Sequence, residues 1–351
     1  MDKISYTYNE IMKQTDSLEL VYEDILSNTF DFSFLKEPYD ELIFFGCGTD
    51  YNLCQSASFF TRSLLNNFTA HALPPSELLI NPATYIKEDK KYLIIGFSRS
   101  GETTESIEVV KRLSEKKNIT IYIFSAIKDS TIISLSNNHF ICRDAIEKSV
   151  AMTRAYTSFL FAYCVILTRF LGHKDMLDEF GYFIKYLKDN IDILFEKIKE
   201  YLDKNQFNTF FALGSGFDYG IAIEADLKMK EMSQTQAYSY YLHEFNHGPK
   251  TLAGNESLIL ILTFDKTLYR IEKVLNDIID LGSKILIVSG DDHINTKNKN
   301  VQILFRRLDF KFDLVKSFIN IPVFQILAYI QAVGKNLNPD TPKNLNFTTR
   351  L

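Results

Sequence analysis

Short runs of apolar residues, each closed by glycine or serine and followed by a stretch of helical period, constrain this chain more than any other feature. Leu42-Ile43-Phe44-Phe45 runs into Gly46-Cys47-Gly48, and Tyr92-Leu93-Ile94-Ile95-Gly96-Phe97 runs into Ser98-Arg99-Ser100-Gly101. A strand with one wet face alternates apolar and polar residues. A strand that is apolar throughout needs cover on both faces, and a parallel sheet between helices supplies it. The expected fold class is therefore α/β, with doubly wound parallel sheets flanked by helices.

The plan occurs twice. Phe210-Phe211-Ala212-Leu213-Gly214-Ser215-Gly216 echoes 43–48, and Ile285-Leu286-Ile287-Val288-Ser289-Gly290 echoes the strand before Ser98. Two tandem modules are expected, at 31–172 and 173–335, with helical patterns at 151–171 and 174–203 where they join. An N-terminal helical segment at 1–30 precedes them, and a tail at 336–351 follows.

Composition narrows the function. The 351 residues are 46% hydrophobic and 24% charged, which suits two folded domains of ~150 residues each. A net charge of −5 gives no basic field for nucleic acid or an anionic membrane, so any anion must be held locally. The first ten residues lack a signal-peptide core. The longest apolar run, 159–167, falls short of the ~20 residues that span a bilayer, and a cytoplasmic location is the expectation. Cys47, Cys54, Cys142 and Cys164 show no C-x-x-C spacing, which points to free thiols and no bound metal.

The stretch Ser98-Arg99-Ser100-Gly101-Glu102-Thr103 joins a strand to a helical pattern. Small hydroxyl residues and a glycine at a helix start gather O–H and N–H donors and the positive end of a helix dipole around one point, which suits a phosphate. A plain N-cap is the alternative, but it needs one such residue and not three hydroxyls with a glycine. The equivalent Ser289-Gly290-Asp291-Asp292 carries two carboxylates, so no second phosphate site is expected there.

From 218 to 232 the pattern is again helical, and Glu224, Lys228 and Glu231 recur at i, i+4 and i+7. At ~100° per residue they share one face. The stripe borders an apolar arc of Ile221, Ala222, Ala225, Met229 and Met232, so it is expected at the edge of something buried. A solvated ion-pair ladder is the alternative. Downstream, His243-Glu244-Phe245-Asn246-His247-Gly248-Pro249 reads as a loop.

Six segments together resemble the sugar isomerase (SIS) family, in particular the isomerase half of glucosamine-6-phosphate synthase and its stand-alone relatives, the sugar-phosphate deaminases and fructosamine-phosphate deglycases. They are Gly46-Cys47-Gly48-Thr49, Ser98 to Thr103, Val150-Ala151-Met152-Thr153, Glu224 to Glu231, His247-Gly248-Pro249 and Pro339-Asp340-Thr341-Pro342-Lys343-Asn344-Leu345. The resemblance implies that Thr49, Ser98, Arg99, Ser100 and Thr103 contact the phosphate and sugar, with Cys47, Gly48 and Val150 lining the site. It implies that Glu231 is the base shuttling a proton between C1 and C2, that Glu224 and Lys228 sit near the reacting carbons, and that His247 helps open the sugar ring of a neighbouring subunit. A homodimer with shared sites, a tail over the active site and no cofactor follow from the same resemblance. A carboxylate shielded from water holds protons more tightly, and Lys228 beside it would offset that and stabilise an enediolate.

Three positions depart from the family pattern. Asp50 replaces a serine, and helix capping is its expected role. Arg99 replaces a glutamine. Phe347 occupies the position of the ring-opening lysine, which weakens a synthase-like amination. The start Met1-Asp2-Lys3, with the first cysteine at 47, carries no nucleophilic N-terminal cysteine, so release of ammonia from glutamine is not expected. The expected function is a phosphosugar isomerase or deaminase acting on a sugar or amino-sugar 6-phosphate. A fructosamine-6-phosphate deglycase and a non-catalytic sugar-phosphate-binding regulator are the alternatives.

Overall fold

The computed structural model describes residues 5–27, 30–66, 68–264, 271–289, 298–305 and 308–349. The chain divides into two compact units, Lys13–Leu177 with Asn344–Leu351, and Met1–Met12 with Asp178–Lys343.

The first unit is built on five parallel strands, β1 (Glu41–Phe45), β2 (Thr69–Leu73), β3 (Tyr92–Ser98), β4 (Ile119–Ser125) and β5 (His139–Ile141), in the order β2-β1-β3-β4-β5. Central β3 is buried along its whole length, whereas edge strand β2 alternates exposed and buried residues at its start. That contrast is why the central strands read as unbroken apolar runs. On one face, Ile43, Ile94 and Ile123 pack against Val109, Val110 and Leu113 of the helix Thr104–Leu113.

The second unit repeats the arrangement with β6 (Thr209–Gly214), β7 (Gln236–Tyr241), β8 (Ser257–Leu262), β9 (Lys284–Val288) and β10 (Val301–Ile303). The order is β10-β9-β8-β6-β7, all parallel. Read from the other edge it is the strand order of the first unit, so both sheets are doubly wound and reverse direction between their first and third strands. Phe211, Leu213, Ile259 and Ile261 face the helix Ile271–Ile279.

The repeat reaches the backbone of the first turn after each leading strand. Gly48 has φ 58° and ψ −120°, and Gly216 has φ 62° and ψ −123°. Side chains with a Cβ rarely adopt that conformation, which is the reason both turns carry glycine. The turns open the helices Thr49–Leu64 and Phe217–Ser233. The two long helical patterns are the helices Arg154–Phe170 and Lys174–Lys204, and the opening segment forms the helices Tyr6–Met12 and Gln14–Leu26.

Two expectations need correction. Asp50 does not cap its helix: Gly48 holds the cap position, and Asp50 lies buried in the first turn. The apolar run 159–167 is also not the strongest candidate for a membrane span. The helical stretch Asp313–Gly334 is long and apolar enough by composition, yet 78% of its apolar window is buried within the protein. Of the loop expected to carry two carboxylates after β9, Ser289 is buried and 290–292 lie outside the described residues.

Candidate functional site

In an open parallel sheet, ligands bind beyond the carboxyl ends of the strands where the winding reverses. In the first unit that point lies between β1 and β3, which pair in register from Glu41↔Tyr92 to Phe45↔Gly96. Pairing brings the turn Cys47-Gly48-Thr49 and the loop 98–103 to the same edge.

Ser98 and Ser100 are buried in that loop. The Ser98 hydroxyl accepts from the Gly101 N–H at 3.1 Å and the Ser100 hydroxyl from the Glu102 N–H at 3.2 Å. Each oxygen thus uses a lone pair to hold the loop and keeps its O–H to donate. Thr103, at the N-cap of the helix Thr104–Leu113, makes no side-chain capping bond, so its hydroxyl also remains a donor. Gly101 has φ +66°, and a Cβ there would lie 2.1 Å from the Ser130 hydroxyl. Glu102 turns away from the loop centre, accepting from the Thr131 N–H at 2.7 Å and the Thr131 hydroxyl at 3.0 Å. The result is a rigid loop with hydroxyl donors at a helix start and its one carboxylate engaged elsewhere.

Cys47 contributes bulk and not charge. Burial, the neighbouring Glu105 and, more weakly, Asp50 push its thiol up to about 12, against a lowering by the Ser106 hydroxyl. The thiol is protonated at neutral pH and is a poor nucleophile. Thr49 is buried at the start of its helix, and Val150 is half-buried.

The Arg99 guanidinium does not turn to the loop hydroxyls. Its Nη1 donates to Glu147 at 3.2 Å and to the Ser149 carbonyl at 3.4 Å, and its Nη2 donates to the Val150 carbonyl at 2.8 Å. Its face lies over the Phe347 ring, 4.0 Å from guanidinium carbon to ring centroid. Glu147 was not read from the sequence. Its side chain is fully buried. Its other oxygen accepts from the Thr153 N–H, the Thr153 hydroxyl and the Arg154 N–H, each at 2.7 Å. This carboxylate therefore closes the start of the helix Arg154–Phe170, where a negative charge is favoured. The only sequence signal was an acid just ahead of the small-residue stretch 149–153.

In the second unit, the helix Phe217–Ser233 carries the charged stripe inside the protein. Glu224 and Lys228 are fully buried and 2.9 Å apart; Lys228 also bonds Glu231 at 2.6 Å, and the Glu231 side chain keeps 17% of its surface exposed. The stripe is thus a buried cation between two carboxylates, one closed off and one open to a ligand. Burial works against the Lys228 charge, but Glu224 and Glu231 outweigh it and hold its pKa above the ordinary lysine value. Removing either carboxylate would leave the others poorly compensated.

His247 lies in the same unit as this group but is not gathered with it. His247 is exposed at the end of the short 3-10 turn Glu244–Asn246. Phe245 roots that turn in the cluster under the helix Ile271–Ile279, and right-handed crossovers put that helix and Phe217–Ser233 on opposite faces of the sheet.

Residues 38–169 match the family model of the SIS domain. That match lies wholly within the first unit. Isomerizing glutamine–fructose-6-phosphate aminotransferases are similar to nearly the whole chain. That of Buchnera aphidicola is 26% identical over 96% of this chain and 55% of the relative, and that of Francisella tularensis is 25% identical over 98% and 58%. The chain therefore spans a little over half the length of the curated relatives it matches. Among solved structures, glucosamine-6-phosphate deaminase from Thermotoga maritima has a TM-score of 0.81 at 24% identity, covering 99% of this chain and 100% of that one. The C-terminal domain of the Francisella tularensis aminotransferase gives 0.83 at 23%, covering 97% and 99%. The matched SIS domain holds the hydroxyl loop, and the fold likeness extends over the second unit as well.

Proposed function

We propose that this chain is an enzyme that isomerises or deaminates a sugar or amino-sugar 6-phosphate by moving a proton between adjacent carbons. The observation that carries the reading is the buried Glu224, Lys228 and Glu231 group, in which one carboxylate is held by a lysine yet remains reachable. In this reading Ser98, Ser100, Thr103, Thr49 and the loop N–H groups bind the phosphate, while Cys47, Gly48 and Val150 line the sugar. Glu231 removes the proton on the carbon next to the carbonyl, and that C–H electron pair forms the carbon–carbon double bond of an enediol or enediolamine. The carbonyl π electrons move onto oxygen, where the Lys228 ammonium lowers the cost of the charge. The O–H or N–H proton on the other carbon then passes to that oxygen, and the freed pair forms a C=O or C=N bond there. The C=C pair takes the proton from Glu231 at the former carbonyl carbon, which completes the isomerisation; in the deamination, water adds to the C=N bond and ammonia leaves. Glu224 keeps Lys228 charged and in place, and His247 acts on the ring oxygen of a substrate held by a second copy in a homodimer. The aminotransferase and deaminase relatives are both named for a hexose 6-phosphate, which supports the substrate class.

A second reading, a fructosamine-6-phosphate deglycase, is favoured by Phe347, because a ring lying on Arg99 offers no amine for opening a sugar. Ammonia and hexose phosphate measured together from glucosamine 6-phosphate and a fructosamine 6-phosphate separate the two. For the shared chemistry, Glu231→Gln should slow solvent-deuterium exchange into fructose 6-phosphate by about 100-fold or more, the contribution expected of a positioned base. Binding of inorganic phosphate should change little. Unaltered exchange would remove Glu231 from the mechanism, and wild-type binding without any exchange would leave a sugar-phosphate sensor.

A further inference from the structure

Arg99 stands inside the hydroxyl loop, yet its described side-chain contacts all lie outside it. Two planar edges of the guanidinium are taken by Glu147 and by the carbonyls of Ser149 and Val150, and the open face is taken by Phe347, 248 residues away in sequence. Nη2 also donates to the Phe347 carbonyl at 3.4 Å. A guanidinium suits this arrangement because its N–H groups lie in one plane while its face stacks on a ring; a lysine ammonium can do one or the other. Glu147 cannot follow Arg99 if it shifts, since its second oxygen is fixed by Thr153 and Arg154. A fixed line of contacts therefore runs from the helix Arg154–Phe170 through Glu147 and Arg99 to residue 347, all within the first unit.

We infer that Arg99 is a positioning residue and not a phosphate ligand: anchored by Glu147, it clamps residues 344–349 onto the 98–103 loop, so that seating of this segment and the shape of the phosphate cradle form one equilibrium. The clamp rests on the reading of 98–103 as a phosphate loop only for its second half. Its first half, the fastening of residue 347, needs no ligand.

The chain contains no tryptophan, so F347W in the full chain places a single indole at the clamp, read alone by excitation beyond the tyrosine absorption band. Acrylamide quenching of that indole should rise about threefold or more when R99M or E147Q is added, as the stacked cation leaves its face. R99K should quench like R99M, because charge without a planar fork does not restore the stack. Equal quenching with and without R99M or E147Q would overturn the clamp. For the second half the probe is inorganic phosphate. R99M and F347L should each weaken its binding by about threefold to tenfold, and the double variant should be no weaker than the weaker single variant, as expected for two groups acting as one unit. Loss in R99M with F347L unaffected, or losses that multiply in the double variant, would make Arg99 a direct ligand and overturn the coupling. A shielded indole in a protein whose phosphate binding is insensitive to S98A with S100A would keep the clamp and sink the phosphate loop instead.

Discussion

Asp218 opens the helix Phe217–Ser233 with a fully buried carboxylate that accepts from Asn320 Nδ2 at 2.8 Å. Burial raises its pKa from 3.8 to about 7, against the hydrogen bonds from Ser317 and Asn320 and with help from the Asp313 charge. The folded state therefore keeps a proton that the unfolded chain releases between those values. The contribution to stability is complete below pH 3.8 and is lost as pH rises through about 7. Asp218→Asn keeps an acceptor and adds a donor beside Asn320, whose Oδ1 has no hydrogen-bond partner among the described residues. In urea unfolding at pH 8 the variant should be more stable than the wild type by up to ~4 kcal/mol, and the difference should shrink towards pH 4; a difference independent of pH would show that Asp218 carries no buried charge. At this scale the sequence was partly legible. The offsets of Glu224, Lys228 and Glu231 follow from helix geometry alone, so their shared face could be read. Their burial could not, because it depends on the helix Asn320–Gly334 packed against theirs. Arg99 was read as a cation in an anion loop, since its Glu147 and Phe347 partners stand 48 and 248 residues away.

At the scale of elements, the segment around Asp340 shows how a motif can be visible while its local role stays hidden. Asp340 accepts from the Ser5 hydroxyl at 2.5 Å, the Tyr6 N–H at 3.0 Å, and the Thr7 N–H and hydroxyl, both at 2.8 Å. It satisfies the first donors of the helix Tyr6–Met12 from over 330 residues away. Burial works against its charge, but the bonds from Ser5, Thr7 and Tyr6 prevail and hold its pKa below the ordinary value. This stabilisation is present above pH 3.8 and is lost as pH falls through the lowered folded value. Asp340→Asn puts an amide nitrogen, which cannot accept, in place of one carboxylate oxygen and should cost about 1 kcal/mol at pH 7, the usual net worth of one hydrogen bond, and its gap to the wild type in denaturant unfolding should close in strong acid. An equal gap at pH 7 and in strong acid would mean that packing, not charge, holds the helix. Local order was more legible. The apolar runs 42–45, 92–97, 210–213 and 285–288 all fall within strands, because β3, for example, is covered along its whole length. The short edge strands β5 and β10 are three residues each and have no periodicity to read.

For the molecule as a whole, the repeated turn at 46–48 and 214–216 announced a duplication, and the matching strand orders of the two sheets are that duplication in three dimensions. Duplication also lets the modules diverge: the first unit holds the hydroxyl loop, and the second the buried lysine between carboxylates. His247 is where reasoning from one chain stops, because it is exposed on a turn rooted across the sheet from the helix of Glu231. If His247 serves the site of a second copy, a dimer of Glu231→Gln and His247→Ala chains contains one site with both native residues and one with neither. Random reassortment of equal amounts makes half the dimers hybrid, so mixing two inactive proteins should recover about a quarter of wild-type deuterium exchange. Should His247 act within its own chain, each site in the hybrid lacks one group, and the mixture stays as inactive as its parents even when sedimentation shows that subunits have exchanged.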